Sequence, residues 1–201
     1  MINYNATSSK FIPTHVVLKS PSEHTINGHH MDLEMQVFHR AKDWNDTYSI
    51  KYAAIAVFFS VEEFDKTINE ASNKTMQDFF RQLKFEDHDD KIAPSLLFGD
   101  VMNALEYEDR WTYKGSISEP PCDQFVYWNI LRTIYPIEID RFAFFSDFMY
   151  SKKKYLGGYK NNRKINQVEN HNVQYIGAHF ISATKVLTVV SATMLVYMTL
   201  Y

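Results

Sequence analysis

The sequence predicts a mainly β fold with a few helices, and three kinds of pattern support this prediction. Asn27-Gly28 is a strong signal for a tight hairpin, and Leu33–Phe38 alternates in facing as a strand does. Tyr52–Phe59 is a continuous apolar run, typical of a central strand covered on both faces. Apolar residues recur at helical steps in Val61–Leu83, and Pro136 is expected to open a second helix that ends near Tyr150.

Composition limits the class of protein. The chain has 201 residues, is 45% hydrophobic and carries a net charge of −3, which indicates one folded domain with a sizeable core. The slight acidity argues against a nucleic-acid partner, which would require a basic surface. A single cysteine, Cys122, cannot form an internal disulfide. The polar stretch Met1–Lys10 lacks the apolar run of a signal peptide.

The segment Ser20–His39 indicates a pocket. Its first half is rich in turn residues, and its second half reads as a strand whose two sides differ. One side is purely apolar, with Leu33, Met35 and Val37. The other side combines a carboxylate, an amide and a phenyl ring, from Glu34, Gln36 and Phe38. This mixture is more typical of a lined pocket than of a plain core.

Three ordered motifs carry a resemblance to a known family. Ser22–Gly28 (SEHTING), with Glu34 and Val37–His39 after it, strongly resembles the alpha-class carbonic anhydrases. Trp111–Cys122 (WTYKGSISEPPC), followed by Trp128, resembles a second segment of that family. Asn162–Gln167 (NRKINQ) resembles its closing element, with lysine where proline is usual. The resemblance covers roughly residues 15–175.

The resemblance implies a fold and an activity. The fold would be a twisted antiparallel sheet of the alpha carbonic anhydrase type, and the activity would be attack of a zinc-bound hydroxide on carbon dioxide to give bicarbonate. About the first third of the family domain has no counterpart in this chain, so the sheet is expected to be incomplete at its N-terminus. Another chain could complete it, the chain could be a truncated fragment, or the remainder could fold differently; the sequence leaves these alternatives open.

The family's zinc ligands are not matched. The sequence predicts a strand over Phe11–Leu18. The resemblance places Val17 of this strand and Lys19, just after it, at two of the three histidine positions, and Gln36 at the third. Valine has no donor atom, lysine is a cation at neutral pH, and a glutamine carbonyl is a weak zinc ligand, whereas a catalytic zinc needs three protein donors. Shifting the register to use His15 recovers at most one ligand. We therefore expect no bound metal.

The residues that surround the zinc site in the family are largely kept. By resemblance, Glu23 and Ser118 match the pair that orients the zinc-bound hydroxide, and Glu34 matches the acceptor behind the third histidine. Lys19 and Glu34 are expected to neutralise each other where the metal would lie, since an unpaired buried charge is costly. The resemblance predicts a partly filled pocket lined by Phe38, Ile55, Ile117 and Trp128.

The C-terminal end differs from the rest of the chain. We assign residues 1–178 to the carbonic-anhydrase-like domain and 179–201 to an apolar segment. Ile181–Tyr201 has one charge, Lys185, and as a helix would reach about 30 Å, the thickness of a bilayer's hydrocarbon core. The segment could be a transmembrane helix, a cleaved signal for a lipid anchor or a β-rich part of the core. Membrane attachment at the cell surface or in the secretory pathway is the expectation.

Two functions follow from these observations. The first is a catalytically silent carbonic-anhydrase-like protein, without a cofactor, that acts as a membrane-attached binding or structural module. The second is an active zinc carbonic anhydrase, or a fragment of one. The residues at the ligand positions favour the first, and we weigh them above family membership. The expected partners are a membrane, through Ile181–Tyr201, and a further protein chain that completes the sheet.

Overall fold

The computed structural model describes residues 11–42, 50–87, 98–119, 122, 124–153, 160–165 and 172–177. Within these ranges the fold is mainly β, as predicted. The strands and helices, in chain order, are β1 Phe11–Lys19, β2 Thr25–Ile26, β3 His29–His30, β4 Leu33–Ala41, β5 Tyr52–Ser60, α1 Glu70–Gln82, α2 Phe98–Asn103, β6 Arg110–Ser116, β7 Gln124–Pro136, α3 Ile139–Lys153 and β8 Gln174–Ile176. A 3₁₀ turn, Phe85–Asp87, follows α1.

Six strands form one mixed sheet in the order β1-β4-β5-β7-β6-β8. Neighbouring strands are antiparallel except β5 and β7, which run parallel. The prediction of a purely antiparallel sheet was therefore wrong at this one pair. The reason lies in the connection: after β5 the chain passes through α1, α2 and β6 before β7 enters the sheet between β5 and β6. A long crossover of this kind is what joins parallel strands.

The predicted hairpin is present. β2 and β3 pair antiparallel, with Ile26 opposite His29, and the turn between them is Asn27-Gly28. Both turn residues have positive φ, 52° for Asn27 and 82° for Gly28. A two-residue turn of this type needs positive φ at both central positions, which asparagine and glycine adopt at low cost.

The two sides of the sheet bury different cores. We call the first the helix-side core, because α1, α2 and α3 cover it; it includes Leu33, Met35, Val37, Ile55, Val57, Phe59, Met76, Phe80, Val101, Leu131 and Phe145. The second, the cleft-side core, consists of Met31, Phe38, Ala54, Ala56, Phe58, Val126, Trp128 and Ile130. The alternation predicted along β4 is confirmed, since Met35 and Phe38 lie in opposite cores.

The first predicted helix is shorter in the structure, and the second predicted helix is displaced by three residues. α1 begins at Glu70, where Asn69 caps it by accepting a hydrogen bond from the Ser72 amide at 2.8 Å. Val61 and Ile68, which precede the helix, still pack on the helix-side core. Pro136 ends β7 rather than opening a helix, and α3 begins at Ile139. Proline lacks the N–H that a continuing strand ladder needs.

The C-terminal prediction lies outside the described residues, because the structure describes nothing after residue 177. Within the described part of the chain, no helix is long and apolar enough to cross a membrane.

Candidate functional site

The sheet brings the three expected ligand positions together on the cleft side. Val17 of β1 lies directly opposite Gln36 of β4, and Lys19 lies opposite Glu34. Val17 and Lys19 share one face of β1, because side chains two residues apart on a strand point the same way. This face is the one that packs against the cleft-side core, which includes Phe38 and Trp128.

The ammonium group of Lys19 is buried and ion-paired at this point. Its side chain is 4% exposed, and Nζ lies 2.7 Å from Glu119 Oε1 and 3.5 Å from Glu23 Oε1. Nζ also approaches the backbone oxygen of Asn161 at 3.5 Å. Our expectation that Lys19 pairs with Glu34 was wrong. Glu34 is instead occupied by other donors, so the charge of Lys19 is balanced by two carboxylates from outside β4.

Gln36 links two of the nearby carboxylates. Its Nε2 donates to Glu23 Oε2 at 3.0 Å and to Glu34 Oε1 at 2.9 Å. The side-chain oxygen of Gln36 is buried and has no hydrogen-bond partner among the described residues. Gln36 therefore acts as a hydrogen-bond donor between carboxylates, which is the opposite of a metal ligand's role.

Glu34 is held by His24 and by the backbone. The backbone amides of Glu23 and His24 donate to Glu34 Oε2 at 2.8 and 2.9 Å, and His24 Nδ1 lies 2.7 Å from Oε1. On its other side, His24 Nε2 lies 2.8 Å from the Tyr113 hydroxyl. The short chain Glu34–His24–Tyr113 thus ties β4 to β6 beneath the cleft.

Burial and charge move the pKa values of this chain of groups. Burial works against the charged form of both His24 and Glu34, but the charge and hydrogen bond that each supplies to the other outweigh it. The pKa of His24 is therefore raised and the pKa of Glu34 is lowered. Burial, with the nearby Glu34 and Glu23 carboxylates, raises the pKa of Tyr113. Both directions favour the His24–Glu34 ion pair over the neutral pair.

The apolar wall is built mainly as expected, with one correction. Phe38 is 2% exposed and meets Trp128 edge to face, with ring centroids 5.5 Å apart. Ile117 packs against the same core. Ile55, expected beside Phe38, lies in the helix-side core, and Ala54 occupies the position opposite Phe38. Because the run in β5 is apolar at almost every position, the sequence does not indicate which of its side chains point to which side of the sheet.

Ser118 makes no hydrogen bond to Glu23, the residue with which the resemblance pairs it, in the described part of the chain. The described partners of the Glu23 carboxylate are Lys19, Gln36 and the backbone amide of Arg163. Ser118 Oγ is buried and has no partner among the described residues. The Glu23 carboxylate instead accepts a hydrogen bond from the Gln36 amide and pairs with the ammonium group of Lys19.

A metal does not fit this donor set. Among the described residues, no group of three or more histidine, cysteine, aspartate or glutamate side chains is placed to hold a metal ion. The carboxylates nearest to the expected position already accept from Lys19, Gln36 and His24. His15, the alternative ligand, stacks on the Phe38 ring at 4.9 Å.

Sequence reasoning did not identify Glu119 and Asn161 as parts of the site. Asn161 donates through Nδ2 to the Leu18 oxygen at 2.7 Å and accepts through Oδ1 from the Ser20 amide at 2.7 Å. It therefore covers the outer edge of β1 beside Lys19. Glu119 directly follows Ser118 in the matched motif, so an acidic residue there was a signal that could have been used.

A cleft of about 870 Å³ opens beside the ion-paired lysine. It lies on the cleft side of β6 and β7 and is bounded by the β2–β3 hairpin and by residues 163–165 and 173. Glu23, His24 and Ser118 line one end, and Trp111, Tyr113, Trp128 and Ile130 line its wall.

Comparisons with known proteins agree with the motifs. The model of the eukaryotic-type carbonic anhydrase family matches residues 5–177. Dioscorin DB3L of Dioscorea polystachya is 26% identical over 117 residues, which cover 57% of this chain and 38% of that protein. Alpha carbonic anhydrase 8 of Arabidopsis thaliana is 30% identical over 115 residues, which cover 57% of this chain and 26% of that protein.

Solved structures show the same fold. The alpha carbonic anhydrase from Thermovibrio ammonificans, in complex with sulfanilamide, matches with a TM-score of 0.59 at 23% identity, covering 81% of this chain and 62% of that one. Dioscorin complexed with ascorbate matches with a TM-score of 0.56 at 22% identity, covering 83% and 62%. The chain spans less than two thirds of the length of each of these four relatives.

Proposed function

This chain belongs to the eukaryotic-type carbonic anhydrase family, and we propose that it is a catalytically silent member that acts as a binding or structural module. The proposal rests on one observation: a buried ammonium group, Lys19, occupies a position that the resemblance assigns to a zinc ligand, and it is ion-paired with Glu23 and Glu119.

Electrostatics support the absence of zinc. Two unit charges 4 Å apart interact by about 4 kcal/mol at an effective dielectric constant near 20, and a divalent ion doubles the repulsion from an ammonium. Lys19 could bind a metal only after losing its proton and its ion pairs. Val17 offers no donor, and the Gln36 amide donates to two carboxylates. Without a bound metal, nothing in this donor set lowers the pKa of a water molecule to give a nucleophile.

Elemental analysis of the purified protein tests the proposal. We expect well under one zinc per chain, and carbon dioxide hydration no faster than buffer alone. The alpha carbonic anhydrase from Thermovibrio ammonificans, purified in the same way, provides the comparison protein. One zinc per chain that survives mild chelation would overturn the proposal.

We also propose that the apolar segment Ile181–Tyr201 attaches the protein to a membrane. Its single charge near one end supports this, because Lys185 could reach the polar interface while the rest stays in the hydrocarbon. Deleting Ile181–Tyr201 should release the protein from the membrane pellet. Sedimentation of the deleted form with membranes after a high-salt wash would contradict the proposal, and release of the full chain by phospholipase would favour a lipid anchor.

A further inference from the structure

The cleft beside Lys19 has aromatic walls whose polar atoms are already used inside the protein. Trp128 Nε1 donates to the Ser116 oxygen at 3.1 Å, and the Tyr113 hydroxyl lies 2.8 Å from His24 Nε2. The rings of Tyr113 and Trp128 are nearly parallel, 8° apart, with centroids separated by 6.3 Å. With their hydrogen bonds satisfied, these side chains form an apolar wall. Trp128 is 2% exposed, so the ring surface that faces the cleft is mainly that of Tyr113, with Trp128 behind it.

Gly115 allows this wall to form. A Cβ atom at position 115 would lie 2.7 Å from Tyr113 Cε2 and 3.2 Å from Trp128 Cδ1. Any other residue would therefore push the two rings away from each other or from the sheet. The absence of a side chain at this position keeps the aromatic wall closed.

The rim adds apolar surface that a folded domain would not normally leave open. Ile165 is 56% exposed and Val173 is 48% exposed, and both line the cleft. Trp111, at the same end, has its ring 6.0 Å from that of Tyr175, which is itself 54% exposed. Apolar side chains that converge on one concave surface are typical of a ligand site.

The charges that line the cleft favour an anion. Arg163 and Lys164 line it, and neither side chain forms an ion pair with a described carboxylate, although Arg163 Nη1 lies 3.7 Å from Cys122 Sγ. Lys114 also borders the cleft, but it follows Tyr113 on β6 and pairs with Tyr127, so its side chain projects to the other face of the strand. The one carboxylate in the lining, Glu23, is already balanced by Lys19 at 3.5 Å and by the Gln36 amide at 3.0 Å. The cleft is therefore apolar within and positively charged at its edge.

We propose that this cleft binds a small aromatic carboxylate, with the ring system against Trp111 and Tyr113 and the carboxylate towards Arg163 and Lys164. The volume of about 870 Å³ is within the range of small-molecule sites. The inference deepens the proposed binding role by naming its ligand class. It does not need a metal, because the cations are side chains of the chain itself.

Calorimetric titration with 2-naphthoate, using 2-naphthamide as the neutral probe of matched shape, tests the inference on the full chain. EDTA is present throughout, so that no trace metal can hold the carboxylate. We expect one naphthoate per chain, bound about tenfold more tightly than naphthamide, since two partly exposed ion pairs supply roughly that factor. Equal affinity for the two probes, or no binding of naphthoate, would overturn the inference.

Matched variants locate the site. Ile165→Glu places a negative charge on the rim and should weaken naphthoate about tenfold. Ile139→Glu is its control, since Ile139 on α3 is 72% exposed and is absent from the cleft lining. If both variants bind like the parent, or both lose affinity equally, the carboxylate binds elsewhere and the inference is wrong.

The cationic rim is tested in the same way. Arg163→Gln with Lys164→Gln should bring naphthoate to the affinity of naphthamide, because both cations assigned to the carboxylate are then removed. The double change Lys66→Gln with Lys74→Gln alters the net charge equally, away from the cleft, and should have no effect. A stoichiometric zinc would overturn the proposed function but not this inference, whereas failure of naphthoate binding would overturn only the inference.

Discussion

At the scale of single residues, the ammonium group of Lys19 determines what its neighbours can do. It shares Glu23 with Gln36, and Glu119 reaches it from the segment after β6. A monovalent cation thus balances carboxylates at the place where the resemblance would put a divalent one. The ion pair with Lys19 and the hydrogen bond from Gln36 stabilise the Glu23 carboxylate in this largely buried position without a metal nearby.

Lys19→Met should lower the free energy of unfolding by about 2 kcal/mol, because it leaves the Glu23 carboxylate without its cation. The expected loss is smaller than the loss on breaking a fully buried ion pair, because Glu119 is 56% exposed. Urea denaturation measures the difference. Adding Glu23→Gln to Lys19→Met should recover most of the loss, and Lys74→Met, at a side chain 73% exposed, is the control. Unchanged stability of Lys19→Met would contradict the ion-pair assignment.

The His24–Glu34 pair predicts how stability depends on pH. The pKa of His24 is raised, so its contribution is complete below the unfolded value near 6.5 and is lost as pH rises through the higher folded value. The pKa of Glu34 is lowered from 4.5, so its contribution is lost as pH falls through the lower folded value. Stability should therefore be greatest between these two transitions.

The variant His24→Gln isolates the histidine in that experiment. Denaturation of the parent and the variant across pH should show a difference that is largest in mild acid and shrinks above neutrality. Burial lowers the pKa of His39, which opposes the trend, because that residue destabilises the fold as pH falls below 6.5. Both proteins contain His39, so its effect cancels in the difference. A difference that grows with rising pH would contradict the pair.

Sequence reasoning placed Lys19 but not its partners. Lys19 lies three residues before the motif SEHTING, so the resemblance could assign its position by counting back from that motif. Glu119 and Asn161, in contrast, lie 100 and 142 residues from Lys19 in the sequence. Only the folded sheet brings those segments together, and no local pattern reports such a contact.

At the scale of elements, β1 and β4 retain the register that a three-ligand site would need. Val17 lies opposite Gln36, and Lys19 lies one strand step further along the same face. The change Val17→His with Lys19→His and Gln36→His should therefore create a zinc site. It also removes Lys19, the cation that repels the metal.

Competition with a chromogenic chelator should show zinc bound to this triple variant far more tightly than to the parent. We expect little carbon dioxide hydration, because Phe38 fills the apolar wall. Val17→His alone is the control and should gain little affinity, since Lys19 remains. If the triple variant folds but binds zinc no better than the parent, the assigned ligand positions are wrong.

For strand β5, the hydrophobic pattern predicts the strand but not the side of the sheet on which each side chain lies. Its apolar run predicted a central strand correctly, since β5 lies between β4 and β7. The same run hid the direction of each side chain, so Ile55 was assigned to the wrong side. The observed pairing of Phe38 with Ala54 explains how a large ring fits there: a small residue on the neighbouring strand leaves room for it.

At the scale of the whole molecule, the two sides of the sheet are covered unequally. Three helices pack over the helix-side core, whereas the other side carries the cleft. The two ends of the sheet also differ from its centre. Within the described residues β1 pairs with β4 alone, and β8 contributes three residues beside β6. Stability against local opening should follow this arrangement.

Amide hydrogen exchange measures that pattern residue by residue. We expect the slowest exchange in β5, where Ala53–Ser60 is buried and both edges are hydrogen-bonded to neighbouring strands. Among the strands of the sheet, we expect the fastest exchange in the first half of β1 and in β8. In β1 the reason is that residues 12–16 are exposed and that a bulge interrupts their pairing with β4. The second half of β1 serves as an internal control, since Asn161 covers its edge at Leu18 and Ser20. Protection of residues 14–16 as strong as that of β5 would contradict this expectation. If that protection also falls on dilution, a second chain pairs with β1 and completes the sheet.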